Sequence, residues 1–152
     1  MSTIKVDTYL TRGGASEIAI DKLKGVSSAA SISVVAEGGS TTTNLQQGLA
    51  KAWCRWNMSG TAAIEDSFNM ASLTDVSTGL STLAFTNDFS NTKYSATLGV
   101  GELTGGGNRL IGIRGTGGTG PTASNITIVH LTVGEAANDI DCNNSAFHGD
   151  LA

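Results

Sequence analysis

Apolar and polar residues alternate along several short segments from residue 50 onward. Because successive side chains of a β-strand point to opposite faces, this period of two predicts strands. The first segment, AKAWCRWN (residues 50–57), divides into one face with Ala52, Cys54 and Trp56 and another with Lys51, Trp53 and Arg55. A tryptophan on each face predicts that this strand is buried on both sides, as in a central strand or at a subunit contact.

Similar segments follow, and turn residues separate them. They are residues 62–70 with Ile64 and Phe68, 80–87 with Leu83 and Phe85, 92–100 with Tyr94, 108–115, 125–133 and 140–149. Residues 73–80 are predicted as a turn region in which Gly79 has a positive φ. Strands at this spacing predict an all-β fold, an antiparallel β-sandwich of jelly-roll-like type, over residues 50–152.

Residues 1–49 show only short extended pieces. These are residues 3–10, 16–23 and 31–35, and a helical turn is predicted to begin at Asn44 and to be interrupted by Gly48. None of the pieces carries enough apolar residues to form a core of its own. We therefore predict an extended N-terminal arm with short strands before the sandwich domain.

Composition supports an all-β chain and excludes several partners. The 152 residues include 20 glycines, and roughly a quarter are serine or threonine, residue types that disfavour helix interiors. The net charge of −4 and the scattered basic residues argue against a nucleic-acid partner. No apolar run is long enough for membrane insertion, and the N-terminus lacks the layout of a signal peptide, so synthesis in a cytoplasm is expected.

The titratable residues give no pattern of an active site, so we predict neither catalytic residues nor a cofactor. Cys54 and Cys142 are expected to be free thiols, since two cysteines without histidines at ligand spacing do not make a zinc site. His130 lies mid-strand beside apolar neighbours and is expected to be structural, and His148 lies close to the C-terminus.

The acidic residues likewise give no pattern of an active site. Glu65 and Asp66 are adjacent, so they are expected on opposite faces of a strand and not as a general acid/base pair. Asp139 and Asp141 share a face and, with Asn143, could hold a hard cation such as calcium. A solvated turn is the favoured interpretation of these three residues, and no metal site is predicted.

A series of short motifs occurs in a fixed order through the middle of the chain. They are GLAKAW (48–53), GT (60–61), IEDSFN (64–69), SLTD (72–75) followed by Gly79, LSTLAFT (80–86) and NTKY (91–94). With these motifs, residues 47–99 resemble a module of tail-fibre and related virion proteins of tailed bacteriophages, especially marine and cyanobacterial ones. The openings STIKVDT and TRGG and the ending FHGDLA resemble the usual ends of such fibres. The sequence departs from the module at residues 54–56, where Cys-Arg-Trp replaces the more frequent Val-Asn-Phe.

The resemblance implies a homotrimer in which residues 1–49 attach to other virion proteins and the sandwich displays its loops. It also implies that the aromatic and apolar motif residues are packing anchors in the core: Trp53, Trp56, Ile64, Phe68, Leu83, Phe85 and Tyr94. The glycine-rich loops near residues 101–110 and 115–124 are candidate contacts with a host surface glycan. Their candidate contact residues are Asn108, Arg109, Thr116 and Thr119.

Three functions follow as hypotheses. The leading one is a short trimeric tail fibre or fibre-like virion appendage that contributes to host adhesion. The alternative is a head-decoration or tail-connector protein with a purely structural role. The third is an enzyme that degrades surface polysaccharide, which would require paired carboxylates in a groove.

Overall fold

The computed structural model describes residues 21–23, 32–36, 39–115 and 120–152. The predicted strand at residues 3–10 and residues 16–20 of the one predicted at 16–23 lie outside these ranges, as do Thr116 and Thr119; residues 21–23 are not in a strand. The elements are β1 (Ser33–Val35), β2 (Thr42–Asn44), α1 (Leu45–Gly48), β3 (Ala52–Asn57), β4 (Ala63–Phe68), β5 (Met70–Ser77), β6 (Leu80–Phe85), β7 (Ser95–Gly101), β8 (Arg109–Ile113), β9 (Asn125–Thr132) and β10 (Cys142–His148).

Eight of these strands form two four-stranded sheets that pack face to face. One sheet has the order β4-β3-β10-β7, here the β3 sheet, and the other has the order β5-β6-β9-β8, here the β6 sheet. Every pairing in both sheets is antiparallel. The prediction of an all-β antiparallel sandwich is confirmed.

The described part of the predicted arm forms a small hairpin and one helical turn. β1 pairs with β2, and this two-stranded sheet is separate from the sandwich sheets. Asn44 caps α1, because its side-chain oxygen accepts a hydrogen bond from the Gln47 N–H (2.9 Å). The predicted helical turn at Asn44 is thus confirmed. The boundary between arm and sandwich at residues 49 and 50 stays a prediction.

The prediction of a turn region at residues 73–80 is wrong for most of its length, since β5 continues to Ser77. The chain changes sheet earlier, at Asn69, the single residue between β4 and β5, which has a φ of 58°. Its side-chain amide donates to the Lys51 carbonyl (3.0 Å) and its side-chain oxygen accepts from the Asn87 N–H (2.7 Å). Only the tight turn at residues 78–79 remains of the predicted region, and there Gly79 has the predicted positive φ, 71°.

Most of the predicted core anchors lie between the sheets. Trp56, Leu83 and Phe85 are buried, and Ile64 and Tyr94 are partly buried against them. Two further aromatics that the sequence did not single out, Phe89 and Phe147, complete the core. Phe85 contacts Phe89 and Phe147 edge to face, with ring centroids 4.9 and 5.2 Å apart.

Trp53 and Phe68 were predicted as core residues, and this is wrong. Their side chains are 38% and 52% exposed. Trp56 points inward from β3, and Trp53, three residues before it, must therefore point outward. Phe68 lies directly opposite Trp53 on β4, so it shares that outer face.

We expect Gly79→Ala to destabilise the protein far more than Gly60→Ala. Both glycines have a positive φ, 71° and 76°, so both variants carry backbone strain of about 1 kcal/mol. An added Cβ at Gly79 would lie 2.6 Å from the His130 carbonyl oxygen and 2.7 Å from the Asn138 nitrogen, whereas one at Gly60 meets no atom within 4 Å. Urea unfolding should therefore show at least about 2 kcal/mol of additional loss for Gly79→Ala. Equal losses in the two variants would contradict the close approach of the backbone there.

A buried polar cluster and an exposed aromatic pair as candidate functional sites

A group of polar side chains lies inside the sandwich, where apolar residues are the rule. Ser81 on β6, His130 on β9 and Asn143 on β10 are fully buried. Alternation explains their position, because His130 follows the buried Ile126 and Ile128 at a spacing of two. We call these three residues, with Trp56, the buried polar cluster.

Hydrogen bonds and a ring contact hold the buried polar cluster together. The Ser81 hydroxyl and the His130 Nε2 are 2.8 Å apart. The Asn143 amide donates to the Ile140 carbonyl (2.7 Å) and to the Trp56 carbonyl (3.2 Å). The Trp56 indole meets the His130 ring edge to face, with centroids 6.0 Å apart. The cluster thus connects β3 and β10 of one sheet with β6 and β9 of the other.

The serine–histidine pair has the spacing of a nucleophile and its base, but its burial prevents that chemistry. A substrate must reach the serine oxygen, and neither Ser81 nor His130 is accessible to solvent. Burial also lowers the pKa of His130 below its ordinary value of 6.5, against smaller opposing effects of Asn143 and the Asp139 carboxylate. His130 is therefore neutral near pH 7 and acts as a core residue.

The three residues considered for a cation serve different parts of the fold. The Asp139 carboxylate accepts from the Gly79 N–H (2.7 Å), and the Asp141 carboxylate accepts from the Leu103 N–H (2.9 Å) and the Thr104 hydroxyl (2.8 Å). These donors hold the pKa of Asp141 below its ordinary value. Within the described ranges, no group of three or more His, Cys, Asp or Glu side chains could hold a metal ion.

Of the candidate loop contacts, Asn108 is exposed. The Arg109 side chain, in contrast, is not free to contact a ligand. The Arg109 guanidinium pairs with the Glu102 carboxylate, and both side chains are largely buried. Glu102 also accepts from the Gly107 N–H (3.0 Å), so the ion pair closes the loop at residues 102–108 on itself. The prediction that Arg109 is a surface contact is wrong because its charge is used inside the loop.

The two candidate loops leave the sandwich at opposite ends. Ala52, the first residue of β3, lies opposite Phe147 of β10. We call this end of the sandwich the arm end, because α1 comes directly before β3 in the chain. The loop at residues 102–108 follows Gly101, which lies at the far end. The segment before β9 returns to the arm end, where Ala123 accepts a hydrogen bond from Phe89 (2.9 Å), itself bridged to Leu151. Of the described loop segments, residues 102–108 are distal to the arm and residues 120–124 lie at the arm end.

Trp53 and Phe68, here the aromatic pair, form a second candidate site on the outer face of the β3 sheet. They face each other across β3 and β4, and Ala146 lies opposite Trp53 on β10. Charged residues stand beside the pair: the Arg55 Nε donates to the Glu65 carboxylate (2.5 Å), and Asp66 lies directly opposite Arg55. A register shift after Arg55 brings the Glu65 carboxylate to the same Arg55 side chain that Asp66 lies opposite. Simple alternation along β4 did not predict that both carboxylates lie beside Arg55.

The two cysteines lie in different environments, and both are free thiols. Cys54 points inward, and burial together with the nearby Asp66 raises its pKa to about 12. Cys142 is half-buried and begins β10 on the opposite face of the sheet, since the inward Asn143 follows it. The two sulfur atoms therefore point away from each other.

Protonation of His130 is expected to destabilise the fold at mildly acidic pH. Because its folded-state pKa is lowered, the unfolded chain binds the proton more readily, so stability is complete above about pH 6.5. As the pH falls below that value, the free energy of unfolding should decrease by up to about 1.4 kcal/mol per pH unit, until the folded-state pKa is reached. Urea unfolding between about pH 8 and 4.5, a range on both sides of the ordinary histidine pKa of about 6.5, measures this slope.

Two variants separate this effect from other titrations. His130→Gln, which keeps a polar side chain near Ser81, should abolish the slope, whereas His148→Gln, outside the cluster, should retain it. Asp141 acts in a separate window, because its lowered pKa gives stability that is lost only below about pH 4. An unchanged slope in His130→Gln would show that another group carries the acid sensitivity.

Alkylation with iodoacetamide should distinguish the thiols. Thiolate is the reactive form, so at pH near 8 the native protein should be labelled at Cys142 and not at Cys54. Mass spectrometry of the digested protein gives the site, and labelling in denaturing urea, where both should react, is the control. Native labelling of Cys54 at the rate of Cys142 would contradict its buried position.

Comparison with known proteins adds no relative to this description. No protein-family model, no curated protein and no solved structure matches the chain. Among the described residues, no helix is both long and apolar enough to span a membrane.

Proposed function

We propose that the protein is a subunit of a bacteriophage virion appendage, a short homotrimeric tail fibre or fibre-like protein that contributes to host adhesion. The motif order in residues 47–99 supports this proposal, and so does the all-β sandwich preceded by a separate hairpin. The buried state of Ser81 and His130 removes the serine–histidine pair as a reason to prefer an enzyme. The protein would be made in the host cytoplasm and act in the virion.

The observation that carries the proposal is an apolar surface at the arm end that the described residues leave exposed. Leu23, Leu49 and Leu151 are 62%, 54% and 40% exposed, and they line one open cavity of about 620 Å³. Val34 and Val35 on β1 are also exposed. Contiguous exposed apolar surface of this kind marks interaction sites in soluble proteins.

The position of this surface fits attachment through the arm. α1 lies against the arm end, where the Gln47 side-chain amide donates to the Asp150 carboxylate. Copies of the chain, arranged about a three-fold axis, would bury the leucines, and the remaining arm residues would contact other virion proteins. The loop at residues 102–108, with the exposed Asn108, then points away from the virion and is available to a host surface glycan.

Electron cryomicroscopy of intact virions tests the proposal. We expect three-fold copies projecting from the particle, with Leu49 and Leu151 buried against neighbouring chains and Asn108 on the outermost surface. Copies lying flat on the head, or enclosed between tail components, would overturn the adhesion role and leave head decoration or tail connection as the function. Absence of the protein from purified virions would overturn both.

A further inference from the structure

We propose that the aromatic pair, Trp53 and Phe68, is a binding platform for one sugar ring of an uncharged hexose glycan. The site lies on the side of the sandwich, not on the loops considered above. The inference rests on the proposed adhesion role, which it deepens by naming a glycan class and its contact residues.

The two rings are exposed although a core position would be more favourable for both. They lie directly opposite each other on neighbouring antiparallel strands, so their Cβ atoms are about 5 Å apart and their rings share one face. Ala146 lies on the other side of Trp53, and its methyl group covers little of an indole. The result is a firmly held aromatic surface, because β3 is a central strand of the sheet.

Such a surface matches the chemistry of a pyranose ring. One face of a hexose presents C–H bonds, which are attracted to the negative face of an aromatic ring. The ring edge carries hydroxyl groups that need hydrogen-bond partners at the same height. Thr97 on β7 lies opposite Ala146, so it stands in one line across the strands with Trp53. Asp66 and Asn144 lie on either side of Arg55, in the neighbouring line on the same face. All three side chains are exposed.

The surrounding charges favour a neutral ligand. Arg55 follows Trp53 on the same face, and Glu65 and Asp66 stand beside Arg55. One positive and two negative side chains therefore border the aromatic pair. An acidic glycan would meet more repulsion than attraction there.

The size of the apolar surface disfavours a second copy of the chain as the occupant. A whole tryptophan or phenylalanine side chain presents about 200–250 Å², so the exposed parts of the pair amount to roughly 200 Å². A stable protein interface buries about 800 Å² on each partner. The charged residues Arg55, Glu65 and Asp66 limit the apolar surface on one side of the pair, and its exposed area is well short of that value.

The test uses the purified full-length protein and a panel of neutral oligosaccharides: maltohexaose, cellohexaose, chitohexaose and mannohexaose. Trp53 is the exposed tryptophan and Trp56 the buried one, so binding should change tryptophan fluorescence, and titration gives the dissociation constant. We expect at least one probe to bind with a Kd below about 10 mM, and polygalacturonate to bind no better. Trp53→Ala and Phe68→Ala should each weaken binding at least about tenfold, measured by isothermal titration.

Leu110→Ala is the matched control, since Leu110 is likewise exposed on an outer sheet face, that of the β6 sheet. It should leave the affinity unchanged, and circular dichroism checks that each variant is folded. Failure of all four neutral probes to bind, or equal affinity in Trp53→Ala and the wild type, would overturn the platform. So would a change of oligomeric state in Trp53→Ala, which would assign the pair to a second copy. Because no virion is used, a negative result here leaves the virion test of the proposed function standing.

Discussion

The pairing of β3 with β10 is the constraint on which both candidate sites depend. Its register sets Trp56 opposite Asn143 and Trp53 opposite Ala146. The first pair faces the interior, where it meets His130, and the second faces solvent, where it meets Phe68. A slip of β3 by one residue would exchange its two faces, bury the charge of Arg55 and expose Cys54 and Trp56. The polar interior and the aromatic exterior are therefore two results of one alignment.

Much of the sandwich could be predicted because its central strands alternate strictly. β6 and β9 each bury every second residue, so Leu83, Phe85 and Ile128 could be assigned to the core from the sequence. β5 could not be recognised, because it is an edge strand that is largely exposed on both faces and therefore shows no alternation. Its Ser, Thr and Asp residues are the same types that build turns, and only the position of Asn69 shows where the chain changes sheet.

The candidate sites were less predictable than the strands. The buried polar cluster joins residues that are far apart in sequence, and only the inward position of His130 beside Ile126 and Ile128 could be inferred. Trp53 was assigned to the core because each face of β3 carries a tryptophan, but the face of Ala52, Cys54 and Trp56 is the more apolar one and is the face that meets the second sheet. Arg109 was mistaken for a contact because its partner Glu102 stands at the other end of a glycine-rich loop.

The β3–β10 pairing also has a consequence for the order in which the protein is made. Trp56 and Asn143 are 87 residues apart, and β10 separates β3 from β7 in the finished sheet. During translation β4 becomes available to β3 soon after β3 itself, but the partner for the other edge of β3 is absent until β10 has been synthesised. Long-range pairings of this kind slow folding, and an open edge is the part of a nascent sheet most prone to pair with another chain. Completion of the sandwich therefore comes after nearly all of its strands have been made, and chains interrupted before β10 are the ones exposed to aggregation.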